Sequence, residues 1–262
     1  MDPKTRPDAL RRALTLSALG MAGGGTALAL AGCGGDEDDH HHDGGSEPMS
    51  TLRFANGTDV NQLSFLINGF TVYTGLAFGG EVSTYGRVQA GTSIIAARSP
   101  NGPPDLASTA TTLSPDRFNS VVAHGLARSN MKLTVFEETN TQPASGSTRV
   151  RMFHAAATIT DRLDVFFTAL TDQVLPVTPS FVLATYQDLS LFQTLDSGAS
   201  YRIRITQPAT GTLLFDTLSA SGVSFASGSV VTLVIVPARV GTTINLSALP
   251  EQAEGGQVGR IA

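Results

Sequence analysis

The chain has 262 residues, with 17 Lys and Arg against 22 Asp and Glu, a net charge of −5, one cysteine and no tryptophan. That length admits more than one domain, and a single cysteine excludes an intrachain disulfide, so the fold must rest on its core. Only 15% of residues are charged, and no basic patch interleaved with aromatics is present, which sets nucleic-acid partners aside.

Residues 1–32 read as an export signal. Lys4, Arg6, Arg11 and Arg12 form a basic start, followed by a weakly apolar run from Ala13 to Ala31. A membrane span needs about 20 strongly apolar residues, and Gly20, Gly23, Gly24 and Gly25 dilute this one. The run closes on Leu30-Ala31-Gly32-Cys33, an aliphatic residue and two small ones before the only cysteine. This resembles the processing box of bacterial lipoproteins, which implies cleavage before Cys33, a diacylglycerol thioether on its sulfur and an acylated amine. Several acyl chains hold a protein on a membrane where a single chain binds only marginally. Arg11-Arg12 leaves the twin-arginine and general secretory routes both open. Gly34 after the anchor implies, by the same resemblance, an outer-membrane destination, at its periplasmic face or the cell surface.

Residues 33–50 comprise the lipidated Cys33 and an acidic, histidine-bearing tether. The run Asp36-Glu37-Asp38-Asp39-His40-His41-His42-Asp43 has no apolar residue and reads as a disordered, self-repelling spacer. His40, His41 and His42 are candidate zinc or nickel ligands, but adjacent histidines on a flexible chain lack the spacing and supporting shell of a built site. Without the signal, the folded remainder beyond the tether carries 13 basic and 14 acidic residues and is nearly neutral.

From residue 51 onward the pattern is that of strands. Met131–Phe136 and Val150–Phe153 alternate apolar with polar residues, as does Tyr201–Thr206, and Val230–Val236 is a continuous apolar run expected to be covered on both faces. Turn signals separate the runs, among them Asn56-Gly57, Asn68-Gly69 and Ser219–Gly222.

The chain also repeats itself. Leu76–Gly91 aligns without a gap on Leu183–Gly198, matching Ser83 with Ser190, Glu81 with Asp188 and Tyr85 with Phe192. Leu52-Arg53 echoes Val150-Arg151, and Val121-Val122 echoes Val230-Val231, in the same order. Two copies of one domain explain this. The expected fold is therefore all-β, with two tandem immunoglobulin-like or transthyretin-like β-sandwich domains over 51–138 and 149–250, a linker over 139–148 and a disordered tail over 251–262.

These repeat residues carry a family resemblance. A strand beginning Val-Arg, a mid-copy Gly and aromatic, and a Tyr ahead of a closing Ala-Gly resemble the bacterial domain-of-unknown-function 4397 family. The first copy matches through Gly75–Gly79, Tyr85 and Ala90-Gly91, the second through Val150–Ala155 and Ser197-Gly198. The resemblance implies secreted or lipid-anchored β-sandwich modules without an established activity. The first copy departs from it, carrying Ala55-Asn56 where the second has His154-Ala155.

No Gly-x-Ser-x-Gly elbow, His-Glu-x-x-His, phosphate-binding loop or paired-cysteine motif is present. The folded part offers two histidines. His154 could meet Asp161 or Asp164 as a base with an orienting acid, although it and His124 read better as strand-end residues. Asp59, Asn61, Asp161 and Asp164 are oxygen donors suited to calcium. Phe65, Phe70, Tyr73, Phe78 and Tyr85 could supply a sugar-stacking platform, though alternation places most of them in the core. The expected role is non-catalytic, with no cofactor. It is a binding, adhesive or structural module, held to the membrane by its anchor and meeting an envelope polymer, glycan or protein. A surface hydrolase or enzyme-accessory domain, or metal capture through the tether, are the alternatives.

Overall fold

The computed structural model describes residues 47–79, 81–102, 104–126, 130–138, 141–217, 222–238 and 244–251, all within one compact unit, Gly45–Ala262. Cys33, His40, His41, His42, the export signal and tail residues 252–262 lie outside the described residues. Every element among the described residues is a β-strand. The first eight are β1 (Met49–Asn56), β2 (Gln62–Ile67), β3 (Phe70–Ala77), β4 (Gly86–Gln89), β5 (Gly91–Arg98), β6 (Asp105–Leu113), β7 (Phe118–His124) and β8 (Lys132–Glu137). Then come β9 (Ser147–His154), β10 (Leu163–Ala169), β11 (Phe181–Leu183), β12 (Gln193–Asp196), β13 (Ser200–Gln207), β14 (Thr212–Asp216), β15 (Val223–Ser224), β16 (Val230–Pro237) and β17 (Ile244–Glu251).

Four sheets result. In the N-terminal part β4-β1-β7-β8 faces β3-β2-β5-β6, and in the C-terminal part β12-β9-β16-β17 faces β11-β10-β13-β14, with β15 added on β13. The strand succession is the same in both parts, with β9 in the place of β1 and β16 in that of β7. In each part the first strand pairs in parallel with the penultimate major strand, Arg53 opposite Ser120 and Arg151 opposite Thr232. The turn between β2 and β3 is Asn68-Gly69, both at positive φ (50° and 85°), which a two-residue hairpin of matching twist requires.

Alternation decides what each sheet buries. Leu52, Phe54, Val121 and Ala123 join Leu63, Phe65 and Ile95 in the N-terminal core. Val150, Met152, Leu233 and Ile235 join Leu163, Val165, Ile203 and Ile205 in the C-terminal core. The residues between them on the same strands point the other way, and they meet. Ala55, Val122 and Phe136 pack against Phe153, Ala155, Val234, Val236 and Leu249 in a third buried cluster. This is why β16 is buried at every position. The sheet β4-β1-β7-β8 thus stacks on β12-β9-β16-β17, each using the face turned away from its own core.

Two expectations are corrected. Glu251, assigned from sequence to a disordered tail, ends β17 and is 1% exposed. Its carboxylate is held by a buried arginine, an attraction composition does not reveal. The departure between the copies also shifts by one residue. The Phe54 amide bonds Ser83 as the Met152 amide bonds Ser190, so Asn56 rather than Ala55 stands opposite His154.

Candidate functional site

Charged residues at alternate positions of a strand ordinarily face water. Here the second face is covered by another sheet, so Arg53 and Arg151 are buried and must be matched. Arg53 Nε donates to Ser120 Oγ at 2.8 Å, that hydroxyl donates to Glu138 Oε1 at 2.6 Å, and Arg53 Nη2 lies 3.0 Å from the same oxygen. Arg151 repeats the arrangement. Its Nε donates to Thr232 Oγ1 at 2.8 Å, its Nη2 pairs with Glu251 Oε1 at 2.7 Å, and Thr232 Oγ1 bonds the same carboxylate oxygen. An aromatic ring covers each guanidinium, Tyr85 at 4.7 Å over Arg53 and Phe192 at 4.5 Å over Arg151. Phe136 reaches from the N-terminal part to within 4.8 Å of Arg151.

Tyr85 is where the two arrangements diverge. The segment leading to β4 is fixed by the Glu81 carboxylate, which accepts the Ala77 amide at 2.6 Å, and by Ser83, whose hydroxyl accepts the Phe54 amide and donates to Thr84 O. This presents Tyr85 with its hydroxyl on Glu138 Oε2 at 2.6 Å and its ring edge-to-face with Phe118. Burial, with the neighbouring Glu138 carboxylate, raises the Tyr85 phenol well above its ordinary value although Arg53 opposes this, so Tyr85 stays protonated. Two cavities open on the residue. One, of about 310 Å³, lies between the edges of β3 and β4 over Leu52 and Phe54, with Tyr73 and Arg87 at its walls. The other, of about 350 Å³, lies between the stacked parts and is lined by Arg53, Ser83, Thr84 and Tyr85 on one side and by Ala248 and Pro250 on the other. Arg53 Nη2 itself is buried away from solvent and paired with Glu138. In the C-terminal part Phe192 takes the place of Tyr85, and Arg149 stacks over it at 4.6 Å.

The two folded histidines lie at the same joint, both fully buried. His124 Nδ1 is 2.5 Å from Tyr186 Oη and its Nε2 is 2.8 Å from Thr134 Oγ1. His154 packs edge-to-face on Tyr186, and its polar neighbours are the backbone of Asp161 and Ile159 rather than another side chain. Burial pushes both imidazoles down to about 4. For His124, Lys132 and His154 add to the fall, while for His154 the Asp188 carboxylate and the Asp161 and Ile159 backbone oppose it.

The pairing of His154 with Asp161 or Asp164 is not formed. Asp161 accepts from Gln207 Nε2 at 2.7 Å, and Asp164 forms a two-point pair with Arg162 at 2.8 and 3.1 Å. Asp59 and Asn61 are exposed on the loop after β1. Among the described residues no three His, Cys, Asp or Glu side chains converge on a point that could hold a metal. Of the aromatics, Phe65 is core, Phe70 is 78% exposed at the β2–β3 turn, and Tyr73 and Tyr85 share the first cavity. They do not form one platform. Sequence reasoning did not single out Tyr186, Glu138 or Glu251. A signal for the last two lay in the repeated Leu52-Arg53 and Val150-Arg151 pairs within β1 and β9, each of which puts a cation on a face that must then supply an anion.

Residues 50–166, a stretch running from β1 into β10, are similar to the model of a family described as domain of unknown function (DUF4397). No curated protein matches the chain. Among solved structures it is similar to one from Bacteroides uniformis described as a "putative cell adhesion protein", at 12% identity. That match covers 78% of this chain and 97% of the other, with a TM-score of 0.26.

Proposed function

We propose that this chain is a lipid-anchored cell-envelope protein whose two pairs of sheets are tandem immunoglobulin-like sandwiches acting as a non-catalytic binding module. The repeated strand succession, and the shared geometry of Ser83 with Ser190 and Arg53 with Arg151, support the duplication. The box ending at Cys33 and the acidic run after it support an anchor and spacer that carry the module on the outer membrane, facing the periplasm or the exterior.

The observation that carries a binding role is the cavity at Tyr85, lined by Val82, Thr84 and Tyr85 from one pair of sheets and by Ala248 and Pro250 from the other. The two histidines support a non-catalytic reading, because each is enclosed between sheets with its imidazole held neutral. The soluble fragment from Met49 to Ala262, screened against glycans, peptidoglycan and envelope extracts, is expected to capture one class of polymer saturably. A folded fragment that captures nothing overturns the reading. Cys33→Ala is expected to move the full-length protein from the membrane fraction to the soluble one. Retention on the membrane overturns the anchor.

A further inference from the structure

We propose that two copies of this chain join edge to edge through β6, the two strands pairing antiparallel across a two-fold axis at Ala110 so that the sheet β3-β2-β5-β6 continues from one copy into the other. This goes beyond the binding-module reading and is independent of any ligand. A sheet edge is a row of unpaired N–H and C=O groups, and folds ordinarily blunt it with short strands, charges, prolines or bulges. The other edges here are blunted. β11 has three residues, β4 and β12 four each, β14 five with a break in register, and β3 breaks register twice. β8 begins on Lys132 and ends on Glu137, and β17 carries Pro250. β6 has nine residues, of which only the first, Asp105, is charged, and it has no proline. Its one irregularity lies at that end, so Ala107–Leu113 run in unbroken register against Ala97–Gly91 of β5. Among the described residues nothing pairs with its other side.

The direction of the free groups follows from the neighbouring strand. Ile94 of β5 bonds Asn68 through both its carbonyl and its amide, so its backbone faces β2. Its cross-strand partner Ala110 therefore turns its own N–H and C=O outward, and alternation does the same for Ser108 and Thr112. These three residues are exposed, while Thr109 and Thr111 between them bond β5 and are half-buried. An axis at Ala110 sets that residue against Ala110 of the second copy, Ser108 against Thr112 and Thr109 against Thr111. Each outward amide then meets an outward carbonyl, small and β-branched side chains lie opposite one another, and no charge faces a like charge. The regular stretch is its own complement, which an isologous interface requires. The far edge of the joined sheet is the irregular β3, so a closed dimer results rather than a fibre. A seam one strand wide is small against a standard interface, and a dissociation constant between about 1 μM and 1 mM is expected.

Sedimentation equilibrium of the compact unit Gly45–Ala262, taken up to about 1 mM, tests this. The expected result is a monomer–dimer equilibrium. Ala110→Lys, at an exposed position whose backbone does not bond β5, sets two ammonium groups face to face on the axis. It should weaken association at least about tenfold with an unchanged melting curve. Ala110→Glu should do the same. An equimolar mixture of the two variants should return association to the parent's level, because Lys then faces Glu, and only a pairing that sets position 110 against itself gives that result. A parent that stays monomeric throughout overturns the proposal. So does a lysine variant that associates like the parent, or a mixture that stays apart.

Discussion

His124 Nδ1 lies 2.5 Å from Tyr186 Oη, a contact that ties β7 of the N-terminal part to the segment following β11 in the C-terminal one. The second ring nitrogen is engaged by Thr134, so the neutral imidazole uses one nitrogen to donate and the other to accept. An imidazolium would have two donors, an added charge and no carboxylate in contact.

Stability should therefore fall in acid. In the unfolded chain both histidines titrate near 6.5, while burial holds the folded ones at about 4. Between those values the unfolded chain binds more protons, so the contribution is complete above pH 6.5 and is lost as pH falls toward 4. Each displacement is worth roughly 3 kcal/mol. Urea melts of the Met49–Ala262 fragment from pH 7 to pH 4 should show the decline, and His124→Gln should flatten about half of it. A level profile contradicts the assignment.

Tyr186→Phe keeps the ring against His124 and His154 and removes only the hydroxyl. It leaves a buried nitrogen without its partner, for a loss of about 1–3 kcal/mol. Denaturant melts at pH 7 read this directly, and no change would mean that the 2.5 Å contact contributes nothing net.

Glu251 should matter far more than its place near the end of the chain suggests. Glu251→Ala leaves Arg151 buried without its carboxylate, and breaking such a pair from one side costs about 3–5 kcal/mol. Glu138→Ala should act similarly through Arg53. The exposed pair of Arg117 with Glu137, 3.6 Å apart, serves as the control, with Glu137→Ala expected within about 0.5 kcal/mol of the parent.

Gly125 follows β7 at φ +100°, and a Cβ there would stand 2.5 Å from the Asn130 carbonyl oxygen. Backbone cannot swing aside as a side-chain tip can, so Gly125→Ala should cost well over 1 kcal/mol. Gly69→Ala, at φ +85° with nothing within 4 Å, suffers only the dihedral penalty and should be the milder of the two in thermal melts.

Much of the architecture could be read from residue order. The unbroken run Val230–Val236 announced a strand covered on both sides, Asn68-Gly69 announced its hairpin, and the alignment of Ser83 with Ser190 paired two residues that perform one task. The site was harder to read because its chemistry is non-local. Arg151 and Glu251 are 100 residues apart, and an arginine alternating with apolar neighbours looks like a solvent-facing residue until another sheet covers it. Tyr186 aligned with Gly79, a difference whose meaning emerged only when His124 arrived from the N-terminal part of the chain. Glu251 was hidden by the polar residues that follow it.

The parallel pairing of first and penultimate strands shapes how the chain can become a solid body. Arg53 waits 67 residues for Ser120, and Arg151 waits 81 for Thr232. Until β7 or β16 has been made, each first strand has only a four-residue neighbour beside it, and the loop to be closed is long. Such topologies fold slowly, in roughly milliseconds to seconds, because chain entropy is spent before the distant contacts return it. The joint adds a second delay, since Phe153 and Val234 remain uncovered until Ala55, Val122 and Phe136 of the N-terminal sheet are in place. Assembly is therefore governed by the arrival of the last two strands, and a chain halted before β16 would leave β9, with its arginines Arg149 and Arg151, without its principal partner.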